Sequence, residues 1–239
     1  MKHQIVTITW QSDGWEGNYT KEDRKNPIGR YVIEGNAPNE RDNFNFNTNI
    51  DGGYKYGFAQ MPNLPREFST EGIVFFRTSF ESKDYIVGFY AKASFGDYSV
   101  STESFNIKAP VEFCVRWSRE NLLKLELDKN KYLPNPKIRG IGGQAMHTHI
   151  NDEQALNILE DALELHKDDQ ETRKKIINVL KEIYGKDDIS KIRKEPALNN
   201  NTIVPPFSLK PQVIFYGVPG TGKTYIAQEI SESKNRSES

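Results

Sequence analysis

Apolar and β-prone residues cluster in short runs along the first 150 positions, and the spacing becomes helical after them. These runs predict strands at Gln4–Trp10, Arg30–Glu34, Gly72–Ser79, Tyr85–Phe95 and Val111–Trp117, the last with clean alternation of period two, punctuated by Gly, Asn and Pro. In the last of these, Val111, Phe113, Val115 and Trp117 share one face, which reads Trp117 as core. Cys114 falls on the other face, between Glu112 and Arg116, and reads as a small sheet residue rather than a reactive thiol. The segment Phe80-Glu-Ser-Lys-Asp84 has the length of a hairpin turn. Over 151–184 the spacing of Ala155, Leu156, Leu159, Ala162 and Leu163, then of Ile176, Ile177, Val179, Leu180, Ile183 and Tyr184, is helical. Asn151 or Asp152 is placed to cap the first stretch and Gly185 to stop the second. Residues 186–210 carry Pro196, Asn199–Asn201 and Pro205-Pro206 and read as a linker. Gln212–Tyr216 reads as a buried strand that opens a last βα unit.

Composition narrows the class. The 239 residues hold 13 Phe, 11 Tyr and 3 Trp, too many aromatics for a disordered chain. Mean hydropathy is −0.70, and no run approaches the roughly 18 apolar residues of a membrane span, so no membrane partner is expected. The first residues lack the apolar core of a secretory signal, and a single cysteine excludes an internal disulfide; the expected compartment is the cytoplasm. With 32 basic against 33 acidic residues, nucleic-acid binding would have to come from a local basic patch.

The sharpest motif lies late. Gly217-Val-Pro-Gly-Thr-Gly-Lys-Thr224 fits G-x-x-x-x-G-K-[ST] between an apolar strand and the helix-forming run from Tyr225 to Ile230. The glycines Gly217, Gly220 and Gly222, with Thr221, let backbone N–H groups converge on a phosphate at a helix N-terminus. Lys223 can reach the β- and γ-phosphates, and Thr224 can hold Mg²⁺. No acidic strand follows Thr224 in these residues, so nucleotide turnover by this chain alone is not expected. The segment Val213–Tyr225 resembles the P-loop of AAA+ proteins, and most closely that of the McrB-like subunit of modification-dependent restriction systems. The resemblance implies GTP or ATP with Mg²⁺ as cofactor, an AAA+ homo-oligomer, an McrC-like nuclease partner, and a DNA-reading domain ahead of the motor.

Gly72–Ser79 followed by Tyr85–Ser94 resembles the central hairpin of the EVE/YTH (PUA-like) superfamily. Val111–Trp117 resembles the YTH strand that ends in an aromatic residue, and Asn135–Gln144 its basic loop ending in Gly-Gln. The resemblance implies a small curved, barrel-like β-sheet with flanking helices that binds a methylated, flipped base in an aromatic pocket. The residues can supply such a pocket, which needs aromatic faces and edge-reading polar groups. Trp10, Ser12, Trp15 and Asn18 lie in one polar, glycine-containing loop; Tyr54, Tyr56 and Tyr98 are further candidates. Trp15 is the leading one, between pocket wall and core. Lys129, Lys131, Lys137 and Arg139 form a proline-framed basic segment free of acidic residues, a candidate DNA-phosphate contact. His147-Thr-His149 lacks further ligands at metal spacing, and no nucleophile–base pair is visible.

The expectation is an α+β chain: an EVE/YTH-like DNA-recognition domain at 1–166, a helix and linker at 167–210, and the first βα unit of an AAA+ module at 211–239. The alternative is a nucleotide-binding remodelling protein whose N-terminal domain binds protein or RNA.

Overall fold

The computed structural model describes residues 2–21, 23, 38–61, 63–65, 72–134 and 147–185. The strand expected at Arg30–Glu34, the basic residues Lys137 and Arg139, the linker and the whole P-loop region, Gly217–Thr224 included, lie outside the described residues.

The described residues are α+β. β1 (His3–Thr7), β4 (Ile73–Phe80), β5 (Lys83–Ala91), β8 (Cys114–Arg116) and β9 (His147–Ile150) form one sheet in the order β8-β5-β4-β1-β9. β1 pairs in parallel with β4, and the other pairings in this sheet are antiparallel. β2 (Ile50–Asp51), β3 (Tyr54–Gly57), β6 (Ser94–Val100) and β7 (Glu103–Pro110) form a second, antiparallel sheet in the order β2-β3-β7-β6. Both sheets are open; the barrel closure expected from the sequence does not occur among the described residues. The chain leaves the first sheet at Lys92, whose φ of 51° no extended strand can contain, and enters the second. That corner also ends at Ala91 the strand expected to run on to Phe95.

Three more boundaries are corrected. β1 stops at Thr7, which leaves Trp10 in a loop. The expected strand at Val111–Trp117 begins with a 3₁₀ turn at Val111–Phe113, because Pro110 ends β7 and presets the turn; only Cys114–Arg116 pairs. The β4–β5 link is a tight turn in which Glu81 and Ser82 both have left-handed φ, the twist that suits a two-residue hairpin.

Burial on both faces of the five-stranded sheet builds the core. Phe75, Phe76, Phe89, Tyr90 and Trp117 are wholly buried. Trp117 donates its indole N–H to the Ile86 carbonyl at 2.6 Å and stacks edge-on with Phe89, as expected of a core residue. Cys114 is buried too, and burial pushes its thiol well above the ordinary value, so it is inert. α1 (Lys129–Tyr132) is a single turn. α2 (Asp152–Leu165) opens with a capping box between Asn151 and Gln154 and buries Ala155, Ile158, Leu159 and Ala162. α3 (Gln170–Tyr184) ends at Gly185, whose φ of 67° makes it the left-handed cap. Grouped with the linker by sequence, α3 packs into this core through Ile176, Val179 and Leu180. Its last residue lies against β1: the Tyr184 hydroxyl is 3.2 Å from His3 Nε2, which also meets Asp152 at 3.0 Å.

A cleft at the ends of the parallel strands

β5 runs antiparallel to both β4 and β8, so β1, β4 and β8 all point the same way. The loop after β1, the β4–β5 turn and the loop after β8 therefore emerge at one edge of the sheet. Ligand sites favour such an edge, where several loops converge on a rigid base.

The loop after β1 is fixed from within. Asp13 accepts the backbone N–H groups of Trp15 at 2.9 Å and Asn18 at 2.6 Å. Asp23 accepts from the N–H of Ser12 at 2.6 Å and of Thr20 at 2.8 Å. Burial pushes Asp23 up, but these hydrogen bonds outweigh it and leave its carboxyl below the usual aspartate value; for Asp13 burial wins and the shift is upward. Glu40, almost wholly buried, accepts the Thr9 N–H at 2.9 Å and is pushed up by burial. Gly14 has a φ of 74°, and a Cβ there would stand 2.7 Å from Arg116 Nη1. A side chain at 14 would push this guanidinium off its bonds.

Two arginines stitch this loop to the one after β8. Glu16 meets Arg116 Nη1 at 2.7 Å through one carboxylate oxygen and Arg119 Nη2 at 2.5 Å through the other. Arg116 also donates to the Gly14 carbonyl at 3.1 Å. Between the loops lies a cleft of about 330 Å³ whose walls include Trp10, Ser12, Arg119, Leu122 and Lys124. The half-buried Trp10 ring packs against Phe80 at 5.0 Å and Trp15 at 5.7 Å, and part of it remains exposed. Gln11, between the two wall residues Trp10 and Ser12, is wholly buried, and neither amide atom has a hydrogen-bond partner among the described residues. An unsatisfied buried amide costs stability and calls for a functional explanation.

The sequence candidates divide accordingly. Trp10 and Ser12 come together in the cleft. Trp15 does not line it. Its exposure is 0%, its indole N–H donates to the Thr9 carbonyl at 2.8 Å, and its ring meets Phe44 edge-on at 6.0 Å. Trp15 is a core residue: the loop folds back on the sheet end, so the polar neighbours face solvent while the indole turns inward. Asn18 is exposed and outside the cleft wall.

Tyr54, Tyr56 and Tyr98 belong to the second sheet and gather around Lys108, whose Nζ stands 4.1, 5.8 and 5.9 Å from their ring centroids. They form no facing wall for Trp10. Lys129 is exposed on α1. Lys131 is engaged within the domain, donating to both oxygens of Asp161 at 2.6 and 2.7 Å, so it is not a free phosphate contact. Tyr132 donates to the same carboxylate. His147 and His149 meet edge-on, and burial followed by the second histidine pushes His147 down.

Arg119, Leu122 and Lys124 escaped the sequence reading. The available signal was a pair of cations around Leu122-Leu123 directly after Trp117. No family model matches the chain, and no curated protein or solved structure matches it either. No helix among the described residues is long and apolar enough to cross a membrane.

Proposed function

We propose that residues 1–185 form the modified-base recognition domain of an McrB-like restriction subunit, with the cleft beside Trp10 as its base pocket. The carrying observation is the pairing of an aromatic wall, Trp10, with two cations, Arg119 and Lys124, around a space of about 330 Å³. A flipped base needs a face to stack on, polar groups at its edge and cations for the flanking phosphates. Trp10 supplies the first and Ser12 can serve the second. The α+β architecture of two sheets with flanking helices is compatible with the EVE/YTH-like reading to which the hairpin sequence pointed.

In this reading the P-loop residues Gly217–Thr224 bind GTP or ATP with Mg²⁺ in an AAA+ oligomer. That motor moves DNA in the cytoplasm and delivers it to an McrC-like nuclease. Lys223 neutralises the β- and γ-phosphates and Thr224 ligates the metal. Base recognition requires no cofactor.

One observation favours the alternative, a remodelling protein whose N-terminal domain binds protein. Phe46, Ile50 and Tyr54 are large apolar residues exposed at 37–39%. A titration separates the two. The full chain is mixed with matched duplexes that are unmodified or carry N6-methyladenine, 5-methylcytosine or hydroxymethylcytosine. A preference of roughly tenfold or more for one modified duplex supports the recognition domain, since base stacking contributes about 1–3 kcal/mol. Equal affinity for all four removes it.

A further inference from the structure

We propose that Glu16 acts as an internal stand-in for a DNA phosphate, holding Arg119 in reserve at the mouth of the cleft until a nucleic-acid backbone displaces it. The inference rests on the nucleic-acid reading above and adds a residue that sets how tightly the domain grips any DNA.

Glu16 presents one oxygen to each of two guanidiniums, charge-assisted contacts of the kind arginine also makes to phosphate oxygens. The two arginines are not equivalent. Arg116 has a side chain only 16% exposed and a second bond to the Gly14 carbonyl, so it is part of the frame. The Arg119 side chain is 64% exposed, lines the cleft beside Trp10 and Ser12, and among the described residues has only a longer contact of 3.3 Å to the Asp13 carbonyl besides Glu16.

Releasing Arg119 leaves Glu16 in place, because Arg116 still holds it and the carboxylates of Asp13 and Asp23 fix the loop independently. Burial pushes the Glu16 carboxyl up, but Arg119 and Arg116 outweigh it and hold it below the ordinary glutamate value, so the carboxylate is charged at neutral pH. An exposed ion pair is weak enough to be exchanged for a phosphate without disturbing the fold.

A phosphate contact is independent of sequence, so the latch lowers affinity for all DNA alike. Unmodified DNA, the abundant competitor, is then held below useful occupancy, and only a complex that also fills the base pocket rises above it.

The test uses the full chain and a labelled unmodified duplex, titrated at several salt concentrations. Glu16→Gln is expected to tighten binding roughly two- to fivefold, the range of an exposed ion pair. Its salt slope should stay at the wild-type value, since Arg119 reaches the phosphate in both proteins and only the cost of breaking the internal pair is removed. Glu120→Gln is the control. It removes the same charge from a residue of the cleft wall itself, one without an ion pair among the described residues, and is expected to give a smaller gain. In the Glu16→Gln, Arg119→Ala double variant the gain should vanish.

Arg119→Ala alone is the second arm, independent of any effect of Glu16 on folding; it is expected to reduce the wild-type slope by about one. Equal gains from Glu16→Gln and Glu120→Gln, a gain that survives loss of Arg119, or an unchanged slope in Arg119→Ala each overturn the latch. Should the wild type prefer a modified duplex and Glu16→Gln change nothing, the latch falls and the recognition domain stands. The converse, a working latch with no preference among the modified duplexes, leaves a phosphate contact and removes the base pocket. Absence of binding by every protein overturns both.

Discussion

Trp10 and Trp15 meet edge-on, with ring centroids 5.7 Å apart and planes at 87°. The outer indole faces the cleft and the inner one faces the core, so a buried aromatic braces an accessible one. Trp15 reaches this position with a φ of 63°, a left-handed conformation that a bulky residue keeps only when its surroundings enforce it. Burial against Phe44 and the hydrogen bond to Thr9 supply that enforcement.

The two tryptophans are therefore expected to fail differently. Trp15→Ala opens a large cavity and should cost about 3–5 kcal/mol of stability, read as a large fall in melting temperature. On the proposed function, Trp10→Ala should cost less stability and abolish a preference for modified DNA, with non-specific affinity nearly unchanged. A Trp15→Ala protein that melts like wild type would return Trp15 to the surface.

The basic residues of α1 separate by salt dependence. Lys131 is engaged with Asp161, so Lys131→Ala should leave the salt slope of DNA binding unchanged and lower stability by a fraction of 1 kcal/mol. Lys129 is exposed, and if it meets a phosphate Lys129→Ala reduces the slope by about one. Titrations across a salt series read both; a Lys131→Ala slope that falls by one contradicts the assignment.

Arg77 sits buried at the bulge in β4, 2.6 Å from Asp84 and bonded to the Thr7 hydroxyl at 2.7 Å. Asp84→Asn leaves that charge without its counter-ion and is expected to cost about 3–5 kcal/mol. Pairing it with Arg77→Met should recover most of the loss. Urea unfolding of the single and double variants measures both, and a loss under about 1 kcal/mol in the single variant would show the pair to be dispensable.

Lys55 gives the fold a pH dependence in the alkaline range. Its ammonium is buried against the Asn45 and Thr48 carbonyls at 2.9 and 2.8 Å, and burial pulls its pKa from 10.5 down to about 8. Between those values the unfolded chain binds the proton and the folded chain does not. Stability from this residue therefore rises as pH increases from about 8 to 10.5, by up to about 1.4 kcal/mol for each unit crossed. Denaturation of wild type and Lys55→Met at pH 8 and pH 10 checks it: the difference between them should move in favour of wild type at the higher pH. Parallel behaviour of the two proteins excludes Lys55 as the source.

Local rules were legible in the chain wherever a residue acts on its immediate neighbours. The apolar period announced α2 and α3, Asn151 or Asp152 announced a cap, which the structure places at Asn151, and Gly185 announced a stop, because the capping bonds span only a few residues. The hairpin of β4 and β5 was legible because its strands are adjacent in sequence and strongly apolar. The strand at Val111 was read too long, since alternation in sequence continues through a 3₁₀ turn that Pro110 imposes on the backbone.

The site depended on distance in the chain. By itself the sequence established an α+β chain and an aromatic loop after the first strand, and raised the expectation of a phosphate-binding motif near Gly217–Thr224. Which tryptophan faces outward was decided only by tertiary packing: Phe44 and the Thr9 carbonyl draw Trp15 inward, and their positions follow from the loop folding back on the sheet. Arg119 stands beside Trp10, more than a hundred positions earlier, because β1 and β8 run in the same direction across strands whose pairings join distant segments. Periodicity records which face a residue turns to its own element. Strand order decides which loops share an edge, and it follows from the summed burial of the whole core, which no local window contains.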